Sequence, residues 1–161
     1  MGQTVLITEN AGEFRDALSD GGGLLGLDLG TKTIGIATCD AAWNFATAGK
    51  TLSKGKFSKD AAALAAVVQD RAIRGIVLGL PRNMDGSEGP RAQSSRAYAR
   101  NLAQALDLPV LLWDERWSTS SAERDMIGQD FSRRKRAERI DSHAAAIILQ
   151  AAIDALSGSA F

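Results

Sequence analysis

"LLGLDLGTKTIGIATCD", residues 24–40, holds two apolar runs rich in Leu, Ile and Thr, parted by Gly30, Thr31 and Lys32. Strand-forming residues on both sides of a short glycine-containing turn predict a β-hairpin. One residue breaks the pattern. Asp28 puts a carboxylate in a strand that otherwise reads as buried, and such a group is either hydrogen-bonded in place or kept for chemistry. Cys39 ends the second run; as the single cysteine it cannot pair within the chain, and it reads as core packing.

Outward from the hairpin, the pattern alternates. Upstream come a short apolar run, "TVLI", and "ENAGEFRDALSDGGG", where Phe14 and Leu18 at helical spacing predict a brief helix closed by three glycines. Residues 1–22 are therefore expected to be an N-terminal extension and residues 23–157 the domain. Downstream, a third strand near "WNFATAGKTL" completes a meander. The period then changes to 3.6: "FSKDAAALAAVVQDRAI" sets Phe57, Ala61, Leu64, Ala65 and Val68 on one helical face. "GIVLGLP" and "PVLLWDE" are wholly apolar runs, the mark of strands covered on both sides. Between them Pro90 opens a helix with Ala97, Leu102 and Leu106 inward. Ser118 or Thr119 is expected to cap a helix through "SSAERDMI", and "QDFSRRKRAER", without an apolar face, to be an exposed basic loop. A last helix, "IDSHAAAIILQAAIDAL", turns Ile140, Ala144, Ile147, Ile148, Ala151 and Leu156 inward. Three antiparallel strands followed by alternating strand and helix predict an α/β fold, a mixed five-stranded sheet with helices on both faces.

Composition bounds the classes. The 161 residues suit one domain, and 24% charged with 45% hydrophobic residues excludes disordered and collagen-like chains. No run reaches the roughly 18 apolar residues of a membrane helix, and the N-terminus carries acids where a secretory leader carries a basic segment, so a cytoplasmic protein away from membranes is expected. Nineteen basic and nineteen acidic residues cancel. Any attraction for nucleic acid must then be local.

Asp28 is followed by Gly30, Thr31 and Lys32, backbone N–H groups and a cation suited to an anion. Asp114 and Glu115 close a buried strand at the end where open α/β sheets gather ligands, and Asp141 lies at the start of the last helical pattern. Strand alternation sends Asp114 and Glu115 to opposite faces, so only one can share a face with Asp28. Each acid also has a plain structural reading: support for a turn, an ion pair with Arg116, an answer to a helix dipole.

Four ordered motifs, "GLDLGTKTIGIA", "GIVLGLPRNMDGSEGPRAQ", "WDERWSTSSAE" and "RIDSHAAAIILQ", resemble the YqgF family, also called RuvX or Holliday-junction-resolvase-like, a branch of the RNase H-like superfamily. The likeness spans roughly residues 23 to 156 and implies an RNase H-like fold. It further implies an acidic metal-binding triad, which by motif is Asp28, Glu115 and Asp141, and so decides between Asp114 and Glu115. Three carboxylates repel unless a divalent cation neutralises them, and hard oxygen ligands suit Mg²⁺ or Mn²⁺. The implied activity is metal-dependent phosphodiester hydrolysis.

Substrate contacts are expected from Lys32, Arg82, Asn83, Ser87, Arg91 and Arg116, and from Arg133, Arg134 and Arg136 of the basic stretch leading to Asp141. Arg96 and Arg100 lie four apart on the helix between. Trp113 reads as core, and Trp117 as able to stack on a base. Thr33 stands where many relatives carry Arg; Ala144 leaves Glu138 as the one acid a turn from Asp141. His143 is expected at the surface or in a capping role rather than as a ligand.

The resemblance implies maturation of the 5′ end of precursor 16S rRNA, with pre-rRNA and ribosomal or assembly partners, by a monomer or weak homodimer. Resolution of branched DNA is the alternative within the family and requires a symmetric dimer. Two other readings remain open: "DLGT" as the phosphate loop of actin-like kinases, which need two such domains, and a catalytically silent RNA-binding assembly factor.

Overall fold

A computed structural model describes residues 5–18, 21–117 and 133–157, with backbone alone at 117 and 133–141. The hairpin forms as its residues predict: β2 (Gly23–Leu29) and β3 (Thr33–Cys39) pair antiparallel from Leu24↔Cys39 to Leu29↔Ile34. The third strand is two fragments, β4 (Thr47–Ala48) and β5 (Leu52–Ser53), each held on β3. Parallel pairing extends the other side of β2, first by β6 (Ile73–Leu80), then by β7 (Val110–Asp114). At that far edge β1 (Ile7–Thr8) adds a parallel pair through Ile7↔Val110. The sheet thus has seven strands, in the order β1-β7-β6-β2-β3-β4 with β5 also on β3. The two beyond the expected five come from the N-terminal extension and from the split of the meander's third strand.

Side-chain alternation divides the core. Leu25, Leu27, Ile76, Leu78, Val110 and Leu112 pack on one face against helices α2 (Phe57–Asp70) and α3 (Pro90–Leu106). Leu24, Val77 and Leu111 face the other way, against α1 (Ala11–Ala17) and the long α4 (Arg133–Leu156). Phe14 and Leu18, the apolar residues expected for α1, are 0% and 6% exposed in this second core, and Cys39 lies there as expected. Burial pushes the Cys39 thiol up to about 11, so it is inert packing at neutral pH.

Helix faces shift slightly from the expected ones. In α2, Ala65 is exposed, and Leu64 together with Asp60 is buried. Asp60 is accommodated because it accepts from the Gly55 backbone N–H (3.0 Å) and the Tyr98 hydroxyl (3.1 Å). In α3, Ala99 and Ala103 join Leu102 in the core, while Ala97 and Leu106 are half-buried. In α4 the fully covered residues include Ala144, Ala145, Ile148, Leu149, Ala152 and Ile153; Ile147 and Ala151 are half-buried.

The largest departure is at the start of α4. The basic stretch is not a loop over residues 133–139: it is the first two turns of the helix, so Asp141 does not open α4 but stands two turns inside it. Arg, Lys, Ala and Glu are good helix formers, and a segment without an apolar face can be helical when it continues a packed helix. The helix expected over "SSAERDMI" lies outside the described residues. No helix among the described residues is long and apolar enough to cross a membrane.

Candidate active site

Position on the sheet sorts the acids. In β2, Leu24 belongs to the α4-side core, and a Cβ placed on Gly26 would lie 2.8 Å from Leu149 Cβ, so alternation puts Asp28 on the α4 face, where it is 4% exposed. In β7, Leu111 and Trp113 face α4 and Asp114 faces away. Glu115, the first residue of a 3-10 turn (Glu115–Trp117), follows the parity of Trp113. Its side chain lies against Gly79 of β6: a Cβ there would meet Glu115 Cγ at 3.2 Å, Glu115 Cδ at 3.3 Å and Ile148 Cδ1 at 2.9 Å. The β2–β6 ladder runs to Leu27↔Leu78, which makes Asp28 and Gly79 the next positions on each strand. Glu115 therefore reaches from β7 across a glycine of β6 toward the strand carrying Asp28.

Helix α4 begins at the same end. Ser142 bonds the hydroxyl of Thr51, beside β5, whose Leu52 pairs with Ile34 next to the end of β2. Gln150 binds Ala46 and Asn44, and the Leu156 carbonyl accepts from Arg15, both toward the opposite end of the sheet. The backbone of Asp141 thus lies at the Asp28 end, one turn before the fully buried Ala144 and Ala145; its side chain, like those of Arg133, Arg134, Arg136, Glu138 and Trp117, is outside the described set. His143 is half-buried, with Nε2 enclosed.

Asp114 has a different environment. Arg116 donates to it from its backbone N–H (2.9 Å) and Nη2 (2.7 Å), and Arg82 Nη1 lies 3.1 Å away. Arg82 also binds Glu9 (2.7 Å) and Glu88 (3.0 Å), which are bridged again by Arg96 at 2.9 and 2.6 Å. Burial raises the Asp114 carboxyl, and the two arginines more than offset it, leaving it below the usual carboxylate range. Glu88 is held down to about 2, first by Arg96. Arg82 and Arg116, expected at a substrate, have their guanidinium groups on carboxylates. Glu9 and Glu88, which close this network, carried no signal in the sequence because their partners are distant in the chain.

The other expected contacts line the rim. Asn83 donates to Ser87 Oγ (2.9 Å) within the β6–α3 loop, where Ser87 donates to Asp85 (2.6 Å). Arg91 Nη2 donates to the Leu29 carbonyl (3.1 Å), and Lys32 is exposed at the hairpin turn.

The donor set suits a hard divalent cation. Asp28 is a carboxylate almost sealed from water, which is costly without neutralisation, and Glu115 offers oxygen from the same face above a residue with no side chain. Among the described residues no three His, Cys, Asp or Glu side chains form a metal-holding group.

A mixed sheet of this order, with acids at the C-terminal ends of two parallel strands on either side of a third, defines an RNase H-like α/β protein. The solved structure of "T. thermophilus RuvC in complex with Holliday junction substrate" shares the fold at 14% identity, with a TM-score of 0.52 over 85% of this chain and 97% of that one. A second Thermus thermophilus RuvC structure gives a TM-score of 0.50 at 13% identity. The chain belongs to the RuvX family, described as "Holliday junction resolvase", whose profile matches residues 22–155. A relative from Novosphingobium aromaticivorans named "Putative pre-16S rRNA nuclease" is 66% identical over 97% of this chain and all of its own length. One of the same name from Sphingopyxis alaskensis is 62% identical over 94% of this chain and 99% of its own.

Proposed function

We propose that the protein is a divalent-cation-dependent nuclease, with precursor 16S rRNA as its substrate, cut toward the 5′ end, and with Asp28, Glu115 and Asp141 as the acids that hold Mg²⁺ or Mn²⁺. The observation that carries this reading is the convergence of Asp28 and Glu115 on one sheet face across Gly79, at the end where α4 brings position 141. The names of the RuvX-family relatives support the substrate.

When bound, the cation supplies Lewis-acid polarisation of the phosphodiester and a lowered pKa for attacking water. The chain's own residues do the rest. Asp28 is fixed by its pairing with Gly35 of β3, one residue past the ladder that joins β2 to β6, and needs little reorganisation to bind. Glu115 sits on a turn just past β7, so its oxygens have reach that a strand residue lacks. Lys32, Arg91 and the Asn83–Ser87 loop present donors from which a phosphate backbone is oriented, while Arg82 and Arg116 act through Asp114 by fixing the end of β7. Such a protein works in the cytoplasm, with pre-rRNA.

The test compares wild type, Asp28→Asn and Glu115→Gln on labelled pre-16S rRNA and on four-way junction DNA, with Mn²⁺ titrated in and then removed by EDTA. The expected result is cation-dependent cutting of the RNA, lost on the order of a thousandfold in either variant, as befits several kcal/mol of transition-state stabilisation. Cutting of junction DNA alone would move the substrate, and equal activity in all three proteins would remove the acids from the reaction.

A further inference from the structure

On the far side of the β2–β3 turn from Asp28 lies a half-open cavity of about 170 Å³ lined by Gly30, Thr31, Lys54, Arg91, Ser94 and Ser95. It is several times the roughly 30 Å³ that a water molecule occupies, so a tetrahedral oxyanion fits with its oxygens. Its chemistry is one-sided: two cations, three hydroxyls and no acid. Neither Lys54 nor Arg91 has a carboxylate within ion-pair distance among the described residues. Instead each leans on a carbonyl of the turn, Arg91 Nη2 on Leu29 (3.1 Å) and Lys54 Nζ on Gly30 (3.4 Å), and Lys54 also stands 5.5 Å over the Tyr98 ring. The nearby buried acid, Asp60, is engaged by Tyr98 and the Gly55 N–H.

Ser95 gives the independent sign. It is 4% exposed and it lines this cavity, on the helix turn just after Arg91. A buried hydroxyl is ordinarily paired, commonly by bonding back to its own helix, as Ser157 does to Ile153 at 2.8 Å. Ser95 lies where its hydroxyl can turn to the cavity instead. Helix α3 also begins on this wall at Pro90 with no side-chain cap, which adds positive potential at the same place.

We propose that this cavity is a phosphate-binding subsite that holds one backbone phosphate of the nucleic-acid strand, away from the acids and without a metal. This rests on reading the protein as one that acts on nucleic acid, and it deepens that reading. The hairpin turn then separates two functions, acids on the α4 side and an anion clamp on the α3 side. A strand crossing the turn at Gly30–Lys32 is gripped at one phosphate while another meets Asp28. Lys54 and Arg91 supply charge-assisted bonds, and Ser95 fixes their direction.

The experiment measures binding of a fluorescein-labelled pre-rRNA oligonucleotide in EDTA across a salt series, so that cleavage plays no part. Lys54→Gln and Arg91→Gln are each expected to raise Kd about five- to tenfold and to reduce the salt slope by about 0.7 to 0.9, the loss of one phosphate contact. Ser95→Ala is expected to raise Kd roughly two- to threefold with the slope kept. Lys59→Gln, which removes an exposed charge from α2, serves as control and stays at wild type. Binding and slope unchanged in all variants overturn the subsite. Amide shifts of Thr31 and Ser95 that saturate with inorganic phosphate and resist the oligonucleotide would assign the cavity to free phosphate and overturn the strand contact. A protein that binds as expected but cuts nothing loses the nuclease reading and keeps the subsite; one that cuts while the variants bind normally loses the subsite alone.

Discussion

Gly79 is the residue against which the Glu115 side chain lies, and it is tested by one added carbon. A Cβ at that position presses on Ile148 Cδ1 at 2.9 Å and on the Glu115 stem at 3.2 Å, so Gly79→Ala must move a core contact, the carboxylate, or both. Overpacking of this kind costs about 1–3 kcal/mol, within reach of a stable domain, so the variant is expected to stay folded and to lose at least about tenfold in cleavage. Wild-type kcat in Gly79→Ala would separate Glu115 from the chemistry. The neighbouring acid behaves in the opposite way. Asp114→Asn breaks a buried charge cluster, at about 3 kcal/mol, the low end for such pairs because Arg82 keeps Glu9 and Glu88. Urea unfolding should record that loss while calorimetry finds Mn²⁺ affinity kept; a protein that loses the cation instead makes Asp114 the ligand. Strand alternation made the contrast between Asp114 and Glu115 legible, though not its direction, which the family likeness supplied. Gly79 was not legible as chemistry, since glycine carries none. Its signal was conformational: a glycine within an apolar strand marks a close approach.

Among the elements, the strands were read well because period and apolar runs are local, and the paired strands β2 and β3 lie within one residue of their expected ends. The polar segments were read less well. A segment such as RRKRAER has high helix propensity and no apolar face, so its state depends on whether it continues a packed helix, which pattern alone does not record. Long-range charge was likewise invisible. Glu9 from the segment after β1, Glu88 from the β6–α3 loop, Arg96 from α3 and Asp114 from β7 join four parts of the chain into one network. Glu88 is held at about 2 by Arg96, Glu9 is lowered by Arg96 and Arg82 against a burial effect that raises it, and Asp114 is also lowered. A carboxylate with a depressed folded-state pKa stabilises above its unfolded value, near 4.3, and that stability is lost as pH falls toward the folded one. Urea midpoints should therefore hold from pH 7 to about 5 and decline below it. Glu88→Gln should start lower at pH 7 and fall less between pH 5 and 3; parallel decline of the two proteins would show that Arg96 does not hold Glu88.

At the scale of the molecule, the N-terminal extension is the part whose contribution is largest for its length. Residues 1–22 were legible as an appended element with a brief helix, and nothing local showed where they go. In the fold residues 5–18 touch both cores and β7: Ile7 and Thr8 pair with Val110 and Leu111, the Val110 N–H donates to the Leu6 carbonyl (2.9 Å), and Glu9 binds Arg82 and Arg96. Arg15 reaches the end of α4, and Phe14 is fully buried over Gly75 of β6, where a Cβ would lie 2.7 Å from its ring. Removing that ring leaves a hole between α1 and the sheet. Phe14→Ala is expected to cost about 3–5 kcal/mol, a large share of the 5–15 kcal/mol that holds a domain, and to lower Tm by roughly 6–20 °C. A chain starting at Gly23 loses Phe14, Leu18 and the cover on the edge of β7 together. Exposed β7 then invites pairing with another copy, so light scattering on heating should rise earlier for the shortened chain than for Phe14→Ala. A Phe14→Ala protein melting within about 2 °C of wild type would mean that the extension is only laid against a domain able to stand without it.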